Sequence, residues 1–295
     1  MGAMAPRTLL AAVLLLVACT APAVPGRSAQ PTASASPTRT SAATPVPASA
    51  ISAHVFVIVM ENRTYAEAMA QPYTSSLAAQ YAVATNYHAI THPSLPNYLA
   101  LTGGSTFGVK DNDYHRLPPG GIGAQLSERG IPWRAYMEGM SGDCLVSQGR
   151  YAVKHNPFAY FGGACPNNVV PLTPATLDAD LSGATPNFVW ITPDLCHDGH
   201  DCSTRVADDY LADLVPKIIA SAAWQKDGLL LITWDEDDGS TDNRVPAIVV
   251  ARGLTQHETS RPHDHYSLLA MIEDRLGLPR LGQARGAEPL TELFS

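Results

Sequence analysis

The sequence predicts a three-layer α/β domain in which helices cover both faces of a mainly parallel sheet. Four short runs are almost continuously apolar, as the buried strands of parallel sheets are, and polar or glycine-rich sequence follows each run. Helical patterns separate the runs, and this alternation of strands with helices produces parallel strand pairs. The predicted strands are Val55–Met60, Asn187–Thr192, Leu229–Trp234 and Ala247–Ala251. The predicted helices are Ser75–Ala82, Gly123–Glu128, Val206–Ala223 and Ser267–Leu276.

The first fifty residues have the composition of a targeting segment followed by a tether. Arg7 precedes the apolar run Leu9–Leu16, which is typical of a bacterial signal peptide and is too short to span a bilayer. Leu16-Val17-Ala18-Cys19 resembles a lipobox, which implies cleavage before Cys19, a lipid on its thiol and anchoring at the cell surface. An ordinary signal peptide that is cleaved later, giving a secreted protein, is the alternative.

Residues 20–50 are nearly all Ala, Pro, Ser and Thr, a composition that cannot bury enough apolar surface to fold. No second break of this kind follows. We therefore predict a signal peptide at 1–18, a lipidated cysteine with its tether at 19–50, and one folded domain at 51–295.

Charge and cysteine content narrow the partners of the folded domain. The formal net charge is −8 with only four Lys in the chain, which argues against nucleic acid, because binding it requires a basic surface. The remaining four cysteines form an even set in an exported chain and favour two disulfides, with sequence proximity favouring Cys144 with Cys165 and Cys196 with Cys202. A metal site made of thiolates is the alternative.

A hydroxyl suited to nucleophilic attack lies in the run His92-Pro93-Ser94-Leu95-Pro96-Asn97-Tyr98. Pro96 fits the first turn of a helix that ends near Gly103-Gly104. Ser94 would then lie at the start of that helix, where free amides favour an anionic phosphoryl oxygen. Taken alone, a serine in this position is more often a plain N-cap.

Acidic and histidine side chains follow three of the predicted strands. In open α/β sheets, ligands bind beyond the carboxyl ends of the strands, so these groups are expected to meet in one cleft. Like charges held so close destabilise a site unless a cation is present, which predicts a divalent metal. Helix-capping loops, solvated turns and surface histidines are the alternative interpretations of the separate pieces. The groups are Glu61-Asn62, Asp194 with His197 and His200, and Asp235-Glu236, with His263 and His265 before the last long helix.

Together these motifs resemble the bacterial phosphoesterase family of acid phosphatases and phospholipases C. The resemblance rests on Val57–Arg63, His92–Tyr98, His197-Asp198-Gly199 and Thr233–Gly239, and it covers residues 53–279. It implies the fold of the alkaline-phosphatase-like superfamily. It also implies that the nucleophile is Ser94 and that one divalent metal is surrounded by Glu61, Asn62, Ser94, Asp235 and Glu236.

The same resemblance implies a phosphate pocket lined by His92, His197 and His265. It further suggests substrate contacts from Asn62, Asn97, Asp194 and His200. His197 is favoured over His200, and His265 over His263, as the residues that face the pocket. The ligand set suits Mg, Mn or Ca, while the nearby imidazoles admit Zn or Fe.

The expected activity is metal-dependent hydrolysis of phosphate monoesters through a phosphoserine intermediate, with His197 protonating the departing alcohol. The expected partners are a phosphorylated small molecule or a phospholipid headgroup, with phosphoinositides among them, and a membrane reached through the lipid anchor. One alternative is a phospholipase C that cleaves phospholipid diesters. The other is a surface lipoprotein that binds a metal or a phosphorylated ligand without turnover.

Overall fold

The computed structural model describes residues 52–294. The predicted signal peptide (1–18), the lipidation site Cys19 and the tether (19–50) lie outside the described residues, so their assignment stays a prediction.

Eight strands form one sheet in the spatial order β5-β4-β6-β1-β7-β8-β2-β9, and β3 pairs with β10 separately. All pairings from β5 through to β7 are parallel, and β8 is antiparallel to both of its neighbours. The predicted mainly parallel sheet is confirmed. The strands are β1 (His54–Met60), β2 (Ala82–Ala84), β3 (Tyr87–His88), β4 (Trp133–Glu138), β5 (Val169–Leu172), β6 (Phe188–Thr192), β7 (Gly228–Trp234), β8 (Ala247–Ala251), β9 (His257–Thr259) and β10 (His263–Asp264).

The helices pack in two groups, as a three-layer domain requires. One group has α3 in contact with α4 and α8, and the other is a contiguous set of α1, α2, α5, α6 and α7. None of the helices within residues 52–294 is long and apolar enough to cross a bilayer. The helices are α1 (Tyr65–Met69), α2 (Pro72–Gln80), α3 (Ser94–Gly103), α4 (Gly121–Glu128), α5 (Pro174–Ser182), α6 (Thr204–Ala220), α7 (Ala222–Asp227) and α8 (His265–Arg275).

Helix α3 lies entirely in the interior, with every residue from Ser94 to Gly103 buried. Pro96 stands in its first turn, as expected, where an amide hydrogen is not needed. The helix ends at Gly104, whose φ of 68° lies in the left-handed region that glycine adopts without strain. The helix therefore holds its first residue, Ser94, in a fixed place inside the domain.

Both predicted disulfides are present, so the four cysteines within residues 52–294 do not form the alternative thiolate metal site. Cys144 is bonded to Cys165 with a Cα–Cα distance of 5.7 Å, and Cys196 is bonded to Cys202 with a Cα–Cα distance of 4.7 Å. The second bridge closes the loop between β6 and α6.

One acid is buried within α8, away from the carboxyl edge of the sheet. Glu273 is 0% exposed, its Oε1 accepts the Leu281 amide hydrogen at 2.9 Å, and its Oε2 has no hydrogen-bond partner among the described residues. Burial raises the pKa of Glu273 to about 8. This carboxyl group is therefore largely protonated at neutral pH.

Candidate active site

The carboxyl edge of the sheet gathers acidic side chains. Glu61 follows β1 and Asp235 follows β7. Asp194 lies two residues beyond β6, and Glu138 is the last residue of β4. Because β4, β6, β1 and β7 are consecutive in the sheet and parallel, their carboxyl ends lie side by side. These four acidic residues therefore lie along one edge of the sheet.

Ser94 lies between two carboxylates at the start of α3. It is 1% exposed, and its Oγ is 3.1 Å from Oε1 of Glu236 and 3.3 Å from Oε2 of Glu61. The following amide, that of Leu95, donates to Oδ1 of Asn112 at 3.0 Å. The hydroxyl thus faces groups that can accept its proton.

Glu61 is the most connected member of the site. It is fully buried, and its Oε1 accepts the Tyr98 hydroxyl hydrogen at 2.6 Å and lies 3.0 Å from Nε2 of His155. Burial raises the pKa of Glu61 well above its ordinary value, and the nearby Asp198 carboxylate raises it further. An ionised Glu61 is therefore costly unless a positive charge lies close to it.

Asn62 and Asp235 bring unpartnered oxygens to the same place. Asn62 has a φ of 50°, and its backbone amide donates a hydrogen bond to Oδ1 of Asp235 at 3.3 Å. The buried Asn62 Oδ1 and Asp235 Oδ2 have no hydrogen-bond partner in the described part of the chain. Burial raises the pKa of Asp235, and the charges of Glu61 and Glu236 raise it further.

His92 contacts the Glu236 carboxyl group and fixes its orientation. Its Nδ1 is 2.6 Å from Oε2 of Glu236, and its Nε2 is 3.0 Å from the Ser240 carbonyl oxygen. Burial lowers the pKa of His92, but the Ser240 carbonyl and the Glu236 carboxylate outweigh burial, so the net direction is upward. Burial raises the pKa of Glu236, with an opposing effect from the His92 hydrogen bond. His92 therefore reaches Ser94 through Glu236.

Two buried residues of the site, His155 and Asp198, were not assigned a role from sequence. His155 is 1% exposed, with Nδ1 3.3 Å from Oδ2 of Asp198 and its ring stacked 5.3 Å from that of Tyr98. Burial lowers the pKa of His155 and raises that of Asp198. His155 ends a 3-10 turn, Val153–His155, rather than following a strand. The one sequence feature that could have pointed to His155 is its position two residues before the apolar run Pro157–Tyr160.

The two competing histidines of the β6–α6 loop lie in different clusters. His200 has ligand atoms within 4.8 Å of those of Glu61 and His155, and its Nε2 is 2.9 Å from the ammonium of Lys154. His197 has no contact with Ser94 or Glu61 in the described residues. The structure therefore places His200, and not the favoured His197, beside Glu61 and His155.

His197 belongs to a second acidic cluster at the neighbouring strand ends. Its Nδ1 is 3.0 Å from Oε2 of Glu138 and 3.6 Å from Oδ1 of Asp194, and its ring stacks on that of Tyr210 at 4.7 Å. Asp194 Oδ1 also accepts the amide hydrogens of Cys196 and His197. Asp194 therefore lies next to His197 as expected, but shapes the loop.

Two other predicted residues, His265 and His263, do not contact Ser94. His265 is 0% exposed, with Nδ1 2.8 Å from the Tyr87 hydroxyl and Nε2 2.6 Å from the Asp235 carbonyl oxygen, and burial lowers its pKa to about 4. His265 therefore holds the backbone of Asp235 in place through its carbonyl oxygen. His263 pairs with Glu292 at 2.6 Å, outside the site.

Asn97 serves the loop before α3 rather than the cleft. It is fully buried, its Oδ1 accepts the amide hydrogens of Ile90 and Thr91, and its Nδ2 donates to the carbonyl of Thr91 at 2.7 Å. With a second bond from Nδ2 to the Pro93 carbonyl at 3.3 Å, these bonds use the side chain completely. Asn97 therefore fixes the turn that presents Ser94.

The residues around Ser94 fit a divalent cation. Three buried carboxyl groups, those of Glu61, Asp235 and Glu236, have raised pKa values, and the orphan oxygens of Asn62 and Asp235 lie next to them. Such a set of hard oxygen donors needs a cation to be stable when ionised. Two groups of ligand atoms lie within 4.8 Å of one another: Glu61 with His155 and His200, and Glu138 with Asp194 and His197.

Sequence comparisons with known proteins agree on the family to which this chain is similar. The sequence profile of the Phosphoesterase family matches residues 65–279. The phosphatidylinositol-3-phosphatase of Mycobacterium tuberculosis is 33% identical over 254 residues, which cover 82% of this chain and 83% of that protein. A probable acid phosphatase of Kluyveromyces lactis is 32% identical over 261 residues, which cover 81% of this chain. The match spans 62% of the yeast protein, less than two thirds of its length.

The fold has relatives of much lower sequence identity. A protein in the alkaline phosphatase superfamily from Vibrio parahaemolyticus superposes with a TM-score of 0.57 at 10% identity, covering 79% of this chain and 69% of that chain. At this identity the likeness shows the fold alone, and it agrees with the superfamily expected from the motifs.

Proposed function

The chain belongs to the phosphoesterase family and is a hydrolase of phosphoric esters, and from this premise we propose that it cleaves phosphate monoesters through a phosphoserine intermediate on Ser94. The observation that carries the proposal is the position of the Ser94 hydroxyl, buried at the start of α3 between the carboxylates of Glu61 and Glu236. A hydroxyl between two buried acids is costly for stability and useful for nucleophilic attack.

Ser94 attacks phosphorus after giving its proton to an adjacent carboxylate. Glu236 is the nearer acceptor, and His92 holds it in place at 2.6 Å. The backbone amide of Ser94, at the positive end of α3, is proposed to face the negative charge that develops on the phosphoryl oxygens. Attack forms the Ser94 O–P bond and breaks the bond between phosphorus and the departing alcohol.

A divalent cation held by Glu61, Asn62, Asp235 and Glu236 would supply the positive charge that stabilises negative charge on the serine and phosphoryl oxygens. These residues bring the orphan oxygens and the raised carboxyl pKa values described above. Cation identity is left to reconstitution, since the oxygen donors suit Mg, Mn or Ca and the imidazoles nearby admit Zn or Fe.

His200 is the proposed proton donor to the departing alcohol, in place of His197. Its imidazole lies beside Glu61 and His155, with Nδ1 2.7 Å from Oδ1 of Asp201 and Nε2 accepting a hydrogen from the Lys154 ammonium, so the proton for the alcohol comes from Lys154 by way of Nε2. After the alcohol leaves, the same imidazole can take a proton from the water that hydrolyses the phosphoserine. General acid–base help of this kind contributes roughly 10²- to 10⁴-fold.

Phosphoinositides are the proposed substrate class, because the mycobacterial relative is named for phosphatidylinositol 3-phosphate and matches over most of both chains. The lipobox-like Leu16-Val17-Ala18-Cys19 supports a location at the cell surface, where such an enzyme would act on lipid or soluble esters.

The test compares phosphate release from p-nitrophenyl phosphate with phosphocholine release from phosphatidylcholine. Wild type, Ser94→Ala and the exposed control Ser182→Ala are assayed before and after chelation. Monoester turnover that is lost in Ser94→Ala alone, with an unchanged circular dichroism spectrum, is the expected result. Phosphocholine release without monoester turnover would instead identify a phospholipase C, and a folded Ser94→Ala that keeps its activity would rule out the serine nucleophile.

A further inference from the structure

Four large apolar side chains are exposed within residues 52–294, and three of them lie on loops beside α3. Phe107 is 41% exposed, Tyr114 is 42% exposed and Val146 is 52% exposed, while the fourth, Phe294, lies on the last 3-10 turn. Isolated exposed apolar side chains are ordinary, but a group of them on neighbouring loops marks an interaction surface. We define the apolar face by Phe107, Tyr114 and Val146.

The loops that carry the apolar face are held together by contacts with one further segment, residues 160–166. The ring of Phe107 meets that of Phe161 edge-on, with 5.6 Å between the centroids. The ring of Tyr114 lies 5.1 Å from that of Tyr160. A disulfide bond joins the loop of the third side chain to the end of the same segment. The three side chains therefore belong to one continuous part of the surface.

Phe107 has a backbone conformation that a bulky residue rarely adopts. Its φ is 54°, the φ of Gly108 is 76°, and the Val109 amide donates to the Thr106 carbonyl at 3.0 Å. Two successive positive φ values form a type I′ turn, whose central positions favour Asn, Asp and Gly. A phenylalanine at the first of these positions is strained, and strained residues concentrate where a protein makes functional contacts. The turn therefore holds an apolar ring at the surface at a cost to stability.

The apolar face borders the segment that carries the nucleophile. The loop of Tyr114 touches this segment, because Oδ1 of Asn112 accepts the Leu95 amide hydrogen at 3.0 Å. Asn112 and Ser147, the residue after Val146, line one cleft of about 320 Å³. A surface that covers the apolar face would therefore lie close to the active site.

The loops of the apolar face carry no net charge. Residues 105–119 contain two basic and two acidic side chains, residues 140–150 contain one of each, and residues 160–166 contain none. The whole chain has a formal net charge of −8. Its excess negative charge therefore lies elsewhere, so an anionic lipid surface would not repel these loops.

We propose that the apolar face docks the folded domain on a phospholipid bilayer, with its three side chains entering the interfacial region. Tyrosine and other amphipathic rings are enriched at this depth of a membrane. A protein partner would instead need roughly 800 Å² of packed surface on each side. Separate side chains on turns suit a fluid interface, because lipid adapts to each of them.

This docking is a contact of the folded domain and is separate from the predicted lipid anchor. A lipid on Cys19 would keep a bilayer within reach, because residues 20–50 extend to at most about 100 Å. The anchor alone would leave the orientation of the domain free, whereas the apolar face would turn the active site toward the lipid. The inference goes beyond the proposed function, since it concerns where the domain binds and not what Ser94 does.

The experiment measures flotation of the mature chain with vesicles of phosphatidylcholine alone. Every sample carries Cys19→Ser, so that no attached lipid contributes to binding. The parent is compared with Phe107→Asn, Val146→Ser and a matched control, Phe294→Asn. Phe294 is 46% exposed and lines a cavity with Gly228 at the amino end of β7, which is the edge of the sheet opposite to the active site. Asn accepts the positive φ of position 107, so this substitution does not strain the turn.

We expect the parent and Phe294→Asn to bind the vesicles equally, in low and in high salt. Phe107→Asn should lower the partition coefficient about tenfold and Val146→Ser about threefold, as the loss of partly inserted apolar side chains predicts. Absence of vesicle binding by the parent would overturn the proposal. Binding that survives both substitutions in the face, or that falls equally in Phe294→Asn, would also overturn it.

Two further measurements keep the result unambiguous. Circular dichroism checks that each variant is folded, and Val146→Ser keeps the test decisive if Phe107→Asn is not. Sedimentation velocity without vesicles tests the alternative occupant: self-association that Phe107→Asn abolishes would assign the face to a second copy of this chain and refute docking on lipid. Hydrolysis of p-nitrophenyl phosphate should be unchanged in all variants, and its absence from the parent would refute the proposed function while leaving the flotation result to decide the docking.

Discussion

Replacing Glu273 with Gln should stabilise the protein at neutral pH. The pKa of this carboxyl group is about 8 in the folded protein, against an ordinary value of 4.5. The folded state therefore keeps a proton that the unfolded chain releases above pH 4.5. Stability from this group is complete below that pH, falls as the pH rises, and is fully lost near pH 8.

The magnitude follows from the pKa difference. One pKa unit corresponds to about 1.4 kcal/mol. Because pH 7 lies about 2.5 units above the ordinary pKa of 4.5, the penalty for keeping the proton in the folded state at pH 7 is at most about 3 kcal/mol. Gln has the shape of the protonated acid and can still accept the Leu281 amide hydrogen. Glu273→Gln should then approach a gain of about 3 kcal/mol at pH 7 and show almost none at pH 4.5.

The assay is urea unfolding of wild type, Glu273→Gln and Glu128→Gln, each at pH 4.5, 6 and 7. Glu128 is exposed in α4 and provides the matched control. The difference between wild type and variant isolates Glu273 from the buried acids of the active site, which are common to both. A gain that does not grow with pH, or one that Glu128→Gln reproduces, would refute the reasoning.

Three further predictions follow from the site and a fourth from the N-terminal sequence. Tyr98→Phe removes the hydrogen bond to Glu61 and should lower kcat/KM for p-nitrophenyl phosphate about tenfold with little change in Tm; an unchanged rate would contradict its role. His200→Ala should cost roughly 10²-fold in kcat and His197→Ala much less, and the reverse order would restore His197 as the acid. Chelation should abolish turnover, and stepwise addition of Mg, Mn, Ca, Zn and Fe should identify the ion that restores it. Mass spectrometry should find an acylated mature chain beginning at Cys19; an unmodified later start would contradict lipidation.

The sequence predicted the longer strands that are buried on both faces and missed strands that are partly exposed or very short. β6, β7 and β8 read as apolar runs because every residue in them is buried. β4 was missed because Arg134 and Glu138 interrupt its apolar pattern, and both are partly exposed. β2 and β9 have three residues each, too few to show any periodicity.

The predicted helix boundaries were wrong where a side-chain cap divides one helical pattern into two helices. The predicted helix Val206–Ala223 is divided into α6 and α7 at Ser221, whose hydroxyl caps the Trp224 amide. A serine within a helical pattern does not reveal whether it caps a new helix or merely faces solvent, so this break depends on tertiary packing.

Within the site, residues at strand ends could be predicted and residues on loops could not. Glu61 and Asp235 follow apolar strands directly, so topology alone brings them together. His155 comes from a 3-10 turn whose path no periodic signal describes. The choice between His197 and His200 depended on loop geometry over three residues, which sequence spacing does not determine.

Because of the bridge between Cys196 and Cys202, the order of the β6–α6 loop depends on the redox state of the compartment around the protein. It encloses His197, Asp198 and His200, so the arrangement of these side chains relies on a covalent link that reducing compartments do not maintain. Newly made chains would therefore hold an incompletely organised loop until they meet an oxidant. If the chain is exported, as its N-terminal sequence predicts, the oxidising compartment that receives it would also be the one that completes this loop.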